Sequence, residues 1–304
     1  MTDGGRVAAP SGLLLLSKQA GLTSFEALGA VKKALGTGKA GHTGTLDKFA
    51  EGLLLVLTGR ALKLSPWFLH CDKQYEGTIR FGIESDTLDP EGKPVAEAAL
   101  PSREAVEKIL PLFSGEIMQA PPAYSAIHID GKRASALARS GKQPEMKKRP
   151  VRVYRLELLL WDPPFARIFV HCSSGTYIRS LARDIALAAG SRACLHALTR
   201  TKVAGFSLED AVGNEAFRPR PIDKAVLIAL GLPWFEIEPQ NVKSVAQGKS
   251  ISHALAGKSP VFPPASPRET SPRMSAGIFS GDSFIAMIEK DKGGWKYGYV
   301  YADS

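Results

Sequence analysis

The chain has 304 residues, 44% of them hydrophobic, which suits one large domain, or a large domain with a small one, around a sizeable core. Lys and Arg number 39 against 30 Asp and Glu, a formal charge of +9 that favours a polyanionic partner. The longest apolar runs, such as 53–57, are too short to span a bilayer and no membrane attachment is expected. Cys71, Cys172 and Cys194 suggest neither a disulfide framework nor a zinc pattern, so a reducing cytoplasm is the expected home.

Residues 13–16 read as a short strand. Ser24 is placed to cap a helix with Leu28, Val31 and Leu35 among its apolar positions, ended by Gly36. The segment Gly38-Lys-Ala-Gly41-His-Thr-Gly44-Thr-Leu-Asp47 follows, dense in glycine and small polar residues, and leads into the apolar run 53–57. Residues 75–81 alternate as a strand and 85–92 are rich in turn formers. Ser102 caps a helix bearing Val106, Ile109, Leu110 and Phe113, with a kink at Pro111. Residues 119–125 contain two prolines and cannot be regular helix.

Strands return at 151–160 and 166–172. The second runs through Ser173-Ser-Gly175 into a helix with Ile178, Leu181, Ala182 and Ile185, closed by Gly190. Residues 259–272 read as a proline-rich loop. Three short strands at 276–279, 283–289 and 295–301 suggest a small β-rich unit at the C-terminus.

The charge is unevenly placed. From Lys132 to Arg155 there are nine basic residues and one acidic one, Glu145; elsewhere thirty basic residues almost balance twenty-nine acidic ones. A solvated loop and a phosphate-contacting loop both fit, and the second is favoured because clustered Lys and Arg gain by releasing condensed counterions.

Three glycines in seven residues, ahead of Asp47, permit a sharp turn and close approach of a ligand, as they would in an ordinary turn. No Gly-Lys-Ser/Thr closes the segment as a phosphate loop, and the spacing is wrong for a dinucleotide fingerprint. The six histidines never form a close pair, which disfavours a metal site, and no nucleophile elbow supports a serine or cysteine triad.

Gly41-His-Thr-Gly-Thr-Leu-Asp47, with Ala50-Glu-Gly-Leu-Leu54 and Gly59-Arg-Ala after it, resembles the catalytic motif of TruB-type pseudouridine synthases. Four further segments match that family in order. They are residues 73–82 with Ser85-Asp-Thr-Leu-Asp89, Gln119-Ala-Pro-Pro-Ala-Tyr-Ser-Ala126, Cys172-Ser-Ser-Gly-Thr-Tyr-Ile-Arg-Ser-Leu181 and Leu198-Thr-Arg200. The resemblance covers roughly residues 13–210. It implies an α+β fold with a mixed, mostly antiparallel sheet flanked by helices and an RNA cleft. It also implies a catalytic domain over 1–238 and a small PUA-like β domain over 239–304.

The implied reaction detaches uracil from C1′ of a ribose, rotates the base and rejoins it through C5, at uridine-55 in the TΨC arm of tRNA. Asp47 corresponds to the family's catalytic aspartate and Arg179 to its paired arginine, with no cofactor and no metal. The carboxylate either attacks C1′ or takes a proton from C2′. Tyr75 corresponds to a tyrosine that stacks on the flipped base, where an aromatic face is worth about 1–3 kcal/mol. Tyr177 and Leu198 correspond to pocket residues, and His42 to a histidine that fills the space the base vacates. The basic stretch falls in an insertion, 127–155, that closes on the RNA arm, so Lys132, Arg133, Arg139, Lys147, Lys148 and Arg149 are the expected backbone contacts. Lys73 and Arg80 are further candidates.

The chain departs from the pattern at Gln19 and Lys48, where the family commonly has proline, and at His128 and Ser135, where it has lysine and an aromatic residue. Without long Lys-rich tails, a stand-alone bacterial type is implied rather than a guide-RNA-dependent one, and a monomer is expected. One rival is a tRNA-folding chaperone on the same scaffold, which would not require Asp47. Another is a glycosidase, which would need a second carboxylate such as Asp86 or Asp89 about 5–10 Å away.

Overall fold

The computed structural model describes residues 10–142, 144–213, 217–264 and 274–302. In chain order its strands begin with β1 (Gly12–Lys18), β2 (Ala40–His42), β3 (Glu51–Thr58), β4 (Lys73–Phe81), β5 (Ile83–Ser85), β6 (Pro94–Glu97), β7 (Gly115–Gln119), β8 (His128–Ile129) and β9 (Lys132–Arg133). They continue with β10 (Arg149–Asp162), β11 (Phe165–Cys172), β12 (Ala193–Val203), β13 (Phe206–Ser207), β14 (Trp234–Glu236), β15 (Ser275–Ser280), β16 (Ser283–Asp291) and β17 (Gly294–Val300). The helices are α1 (Ser24–Ala34), α2 (Ser65–Leu69), α3 (Arg103–Ile109), α4 (Ala134–Arg139), α5 (Ile178–Ala188), α6 (Lys224–Leu230), α7 (Pro239–Ala246) and α8 (Ile251–Ala254).

The large sheet runs β1-β3-β12-β4-β11-β10-β7, with β2 added to β3 and β13 to β12. Only the β3–β12 pairing in it is parallel; the others are antiparallel. This is the mixed, mostly antiparallel sheet that the sequence led us to expect. β1 and β3 lack polar alternation because both of their faces are covered. Leu13, Leu15, Leu53, Leu55 and Leu57 face one core, and Leu14, Leu16, Leu54 and Val56 pack with Leu28 and Val31 of α1 in another. β4 alternates cleanly, with Tyr75, Ile79 and Phe81 directed into a third core beneath α5, where Leu181, Ala182 and Ile185 are fully buried.

The C-terminal sheet is ordered β14-β15-β16-β17. Its first strand lies upstream of residue 239, and its Phe279, Phe284 and Met287 share a core with Leu13 and Leu53 of the large sheet and with α6. The proline-rich segment expected at 259–272 falls partly outside the described residues.

Three local expectations need correction. Thr23, not Ser24, caps α1: its hydroxyl accepts from Glu26 N while the Glu26 carboxylate accepts from Thr23 N, a capping box. The basic insertion, 127–155, is not a plain loop, since it contains the β8–β9 hairpin and the short helix α4. Lys73 is not a surface cation; it is 8% exposed, its ammonium donating to the carbonyls of Leu69 and Cys71, and burial lowers its pKa to about 8.

At the one parallel junction, Gly52 of β3 sits opposite Arg200 of β12 with φ of +107°. A Cβ there would lie 2.4 Å from the Arg200 carbonyl oxygen, a backbone atom that cannot swing aside. Gly52→Ala therefore combines a disfavoured φ with a clash and is expected to cost about 2–5 kcal/mol, read as a lower denaturant midpoint at unchanged m-value.

Candidate active site

The loop between β2 and β3 carries Asp47 and is held from two sides. The hydroxyl of Ser24, 2% exposed, accepts from Leu46 N at 2.9 Å and donates to Leu46 O at 3.0 Å, so the residue first read as a cap instead fixes the backbone beside Asp47. Arg200, also 2% exposed, lies under the loop; its Nε donates to Leu53 O at 2.7 Å and its Nη2 to Gly44 O at 3.1 Å. Three of its neighbours are thus backbone carbonyls, with Thr45 O the third at 3.4 Å. The glycines let this backbone lie close to the guanidinium, and a charged donor holds each carbonyl more firmly than a neutral one would.

Arg179 stands in the first turn of α5 and is 4% exposed. Its Nη2 donates to Asp47 Oδ1 at 3.3 Å, and its Nε lies 2.9 Å from Oδ2 as an ion contact without hydrogen-bond alignment. The same guanidinium reaches Asp89 Oδ2 at 3.0 Å, Thr87 O at 2.6 Å and Tyr124 O at 3.0 Å. It therefore joins the loop that carries Asp47, the turn at 85–92 and the segment after β7. Gln119, 1% exposed, fixes the start of α5: its Oε1 accepts from Tyr177 N and its Nε2 donates to Tyr177 O.

Burial raises the Asp47 pKa above the ordinary carboxylate value; the Arg179 guanidinium opposes the rise and the charge of Asp89 adds to it. More than a third of the Asp47 side chain is still open, so a substrate can reach the carboxylate. Tyr75 lies in the same apolar cluster as Leu46 and Leu198, and burial pushes its phenol up to about 12, against the pull of Arg200. His42 is half-buried, its Nδ1 without a hydrogen-bond partner, and burial and then Arg200 lower its pKa, which keeps it neutral at physiological pH. Lys18 is 1% exposed, donates to Gln19 O and Leu22 O, and has a pKa lowered to about 8 by burial, against the opposing charge of Asp47.

The residues selected from the sequence thus divide. Asp47 and Arg179 are in contact, and Tyr75 and Leu198 share one apolar cluster beside Leu46. Tyr177 precedes α5 with Arg149 stacked 5.3 Å over its ring, and Arg149 also donates to Gly175 O. Lys132, Arg133, Arg139, Lys147 and Lys148 are exposed on the insertion.

Asp89, Tyr124, Ser24 and Arg200 were missed as site residues. Asp89, Arg200 and Tyr124 were visible as members of matched motifs, although Tyr124 meets Arg179 through its carbonyl rather than its ring; Ser24 acts through a hydroxyl–backbone clamp, which no spacing announces. Asp89 is 5% exposed and accepts from Arg179, the Thr87 hydroxyl and Glu91 N. Among the described residues no three His, Cys, Asp or Glu side chains gather as a metal site. None of the described helices is long and apolar enough to cross a membrane.

Known proteins with this pattern are similar in both sequence and shape. Residues 32–178 match the N-terminal domain of the TruB family of pseudouridylate synthases. A tRNA pseudouridine synthase B from Treponema denticola is 47% identical over 266 residues, covering 81% of this chain and 70% of that protein. One from Borreliella burgdorferi is 46% identical over 245 residues, covering 78% and 85%. Among solved structures, a Cbf5–Nop10–Gar1 complex contains a chain that superposes with a TM-score of 0.71 at 22% identity, covering 96% of this chain and 85% of that one. A chain of an archaeal box H/ACA sRNP Nop10–Cbf5 complex superposes with a TM-score of 0.70 at 20% identity, covering 99% and 89%. At such identity these two speak for the fold.

Proposed function

Since the chain belongs to the TruB family of pseudouridylate synthases, we propose that its tRNA pseudouridine synthesis is directed to the TΨC-loop uridine and depends on Asp47. The observation that carries the assignment of Asp47 is its position on a partly open carboxylate held by a buried arginine. A carboxylate must be ionised to add to C1′ or to take a proton from C2′, and a guanidinium stays charged under any condition the enzyme meets. Arg179 supplies that cation and also fixes the orientation of the carboxylate. The target uridine leaves its stack; Tyr75 and Leu198 form the apolar side of the pocket it enters, and Tyr177 lies at its rim. His42, neutral and half-buried, occupies the vacated space. The exposed cations of the insertion and Arg149 hold the RNA backbone.

The protein acts on the TΨC arm as a monomer, with the catalytic domain ending ahead of β14 rather than at residue 238, since β14 belongs to the sheet of the PUA-like domain that follows. Incubation of the purified protein with an unmodified tRNA transcript tests the reading, pseudouridine being mapped by carbodiimide-dependent primer extension without added metal or cofactor. A single stop at the TΨC-loop uridine, absent with Asp47→Ala, is expected. No pseudouridine, with tRNA binding intact in both proteins, would leave the RNA-binding chaperone in its place.

A further inference from the structure

Lys48 follows Asp47 directly and is half-exposed, its ammonium 3.5 Å from Glu91 Oε1. Both partners are anchored through their backbones. The Lys48 carbonyl accepts from Gly21 N at 2.8 Å, and Glu91 N donates to Asp89 Oδ1 at 3.0 Å. Asp89 in turn meets Arg179, and Arg179 meets Asp47. The Lys48–Glu91 pair therefore completes a ring, Asp47–Lys48–Glu91–Asp89–Arg179, and spans the outer edge of the site between the catalytic loop and the turn at 85–92.

The pair is a weak structural tie. Exposed ion pairs contribute about 0–1 kcal/mol, because water screens both charges and two flexible side chains must be held. It sits where a polyanion has to arrive: a nucleotide whose ribose reaches Asp47 carries a phosphate on each side. Glu91 alone would repel that phosphate, and its neutralising partner is the cation best placed to be handed over. A phosphate also offers several strong acceptor oxygens where Glu91 offers a single contact.

We propose that Lys48 is a phosphate-binding residue, which releases Glu91 and takes the RNA backbone beside the target uridine. The proposal rests on the reading of the site as one for a uridine within RNA. Insertion of the base at Asp47 then coincides with release of the rim pair, and the catalytic loop becomes tied to the substrate instead of to the turn at 85–92.

Binding of an unmodified tRNA transcript to the full chain, measured between about 50 and about 200 mM salt, tests this. Each phosphate contact contributes about one to the slope of log affinity against log salt. Lys48→Met should flatten the slope by about one and lose affinity by about threefold at the lower salt, and Lys48→Arg should restore both. Glu91→Gln should bind more tightly than wild type, since the competitor for Lys48 is gone. Parallel salt lines for wild type and Lys48→Met would overturn the proposal, as would a Glu91→Gln protein that binds as weakly as Lys48→Met, because the pair would then act only as a structural tie. Pseudouridine mapping on the same wild-type samples separates the two readings: product at the TΨC-loop uridine with parallel salt lines refutes the role of Lys48 and leaves the assigned activity standing.

Discussion

Asp47→Asn should lose pseudouridine formation by about 1,000-fold or more while the protein stays folded and continues to bind tRNA. Asparagine keeps the shape and can still accept from Arg179, so the loop held by Ser24 and Arg200 has no reason to move. It has no lone pair basic enough to take a proton from C2′ and none that adds readily to C1′. Stability should change little, because two effects oppose each other. A carboxylate whose folded pKa lies above its unfolded value favours the fold below the unfolded pKa, and that contribution is lost as pH rises through the folded one. At neutral pH the desolvation of ionised Asp47 is a cost that asparagine removes, and part of the attraction to Arg179 is a gain that it forfeits. The same raised pKa fixes the acid limb of the wild-type pH profile. Single-turnover rates should rise about tenfold per pH unit up to a pKa above the ordinary carboxylate value of 3.8, then level off. An acid limb at or below that value would show that Arg179 outweighs burial at this site.

The residues that were legible in the sequence and those that were not differ in how they act. The roles proposed for Asp47, Arg179, Tyr75 and Leu198 rest on the chemistry of the side chain, and fixed spacings around them form recognisable segments. The strand pattern was legible where one face is polar, as in β4, where buried and exposed residues alternate. It was less so for β1 and β3, which are apolar on both faces because two different cores flank them; a continuous apolar run sets no register by itself. Ser24 was misread because Thr and Ser are adjacent and either can cap a helix. Glu26 three residues on decides for Thr23, which frees Ser24 to bind Leu46 across 22 residues of chain. Lys73 was taken for a surface cation because burial of a lysine depends on carbonyls that only the folded turn brings together. Asp89 stood in a matched motif, yet its link to Arg179 spans 90 residues and arises from the turn at 85–92 folding over the start of α5.

That link makes Arg179 the residue whose loss should do most damage. Its guanidinium serves four acceptors on three separate segments: two carboxylates, Asp47 and Asp89, and the carbonyls of Thr87 and Tyr124. At 4% exposure it has almost no water to replace a missing partner. Arg179→Met removes the charge and keeps much of the apolar volume, leaving Asp89 buried without a cation. Breaking a buried ion pair from one side costs about 3–5 kcal/mol, far more than the pair itself contributes, because the remaining charge stays desolvated. Asp47 loses the cation that holds its pKa down, so its pKa should climb further and less of the active carboxylate form exist at any given pH. Denaturant unfolding and single-turnover rates should therefore fall together in Arg179→Met. Arg179→Lys separates the two effects. A single ammonium restores the charge but cannot span four acceptors in a planar fork, so stability should recover in larger part than the rate, with the acid limb still displaced upward. A lysine variant with the wild-type rate and acid limb would reduce Arg179 to a source of charge and remove its role in orienting Asp47.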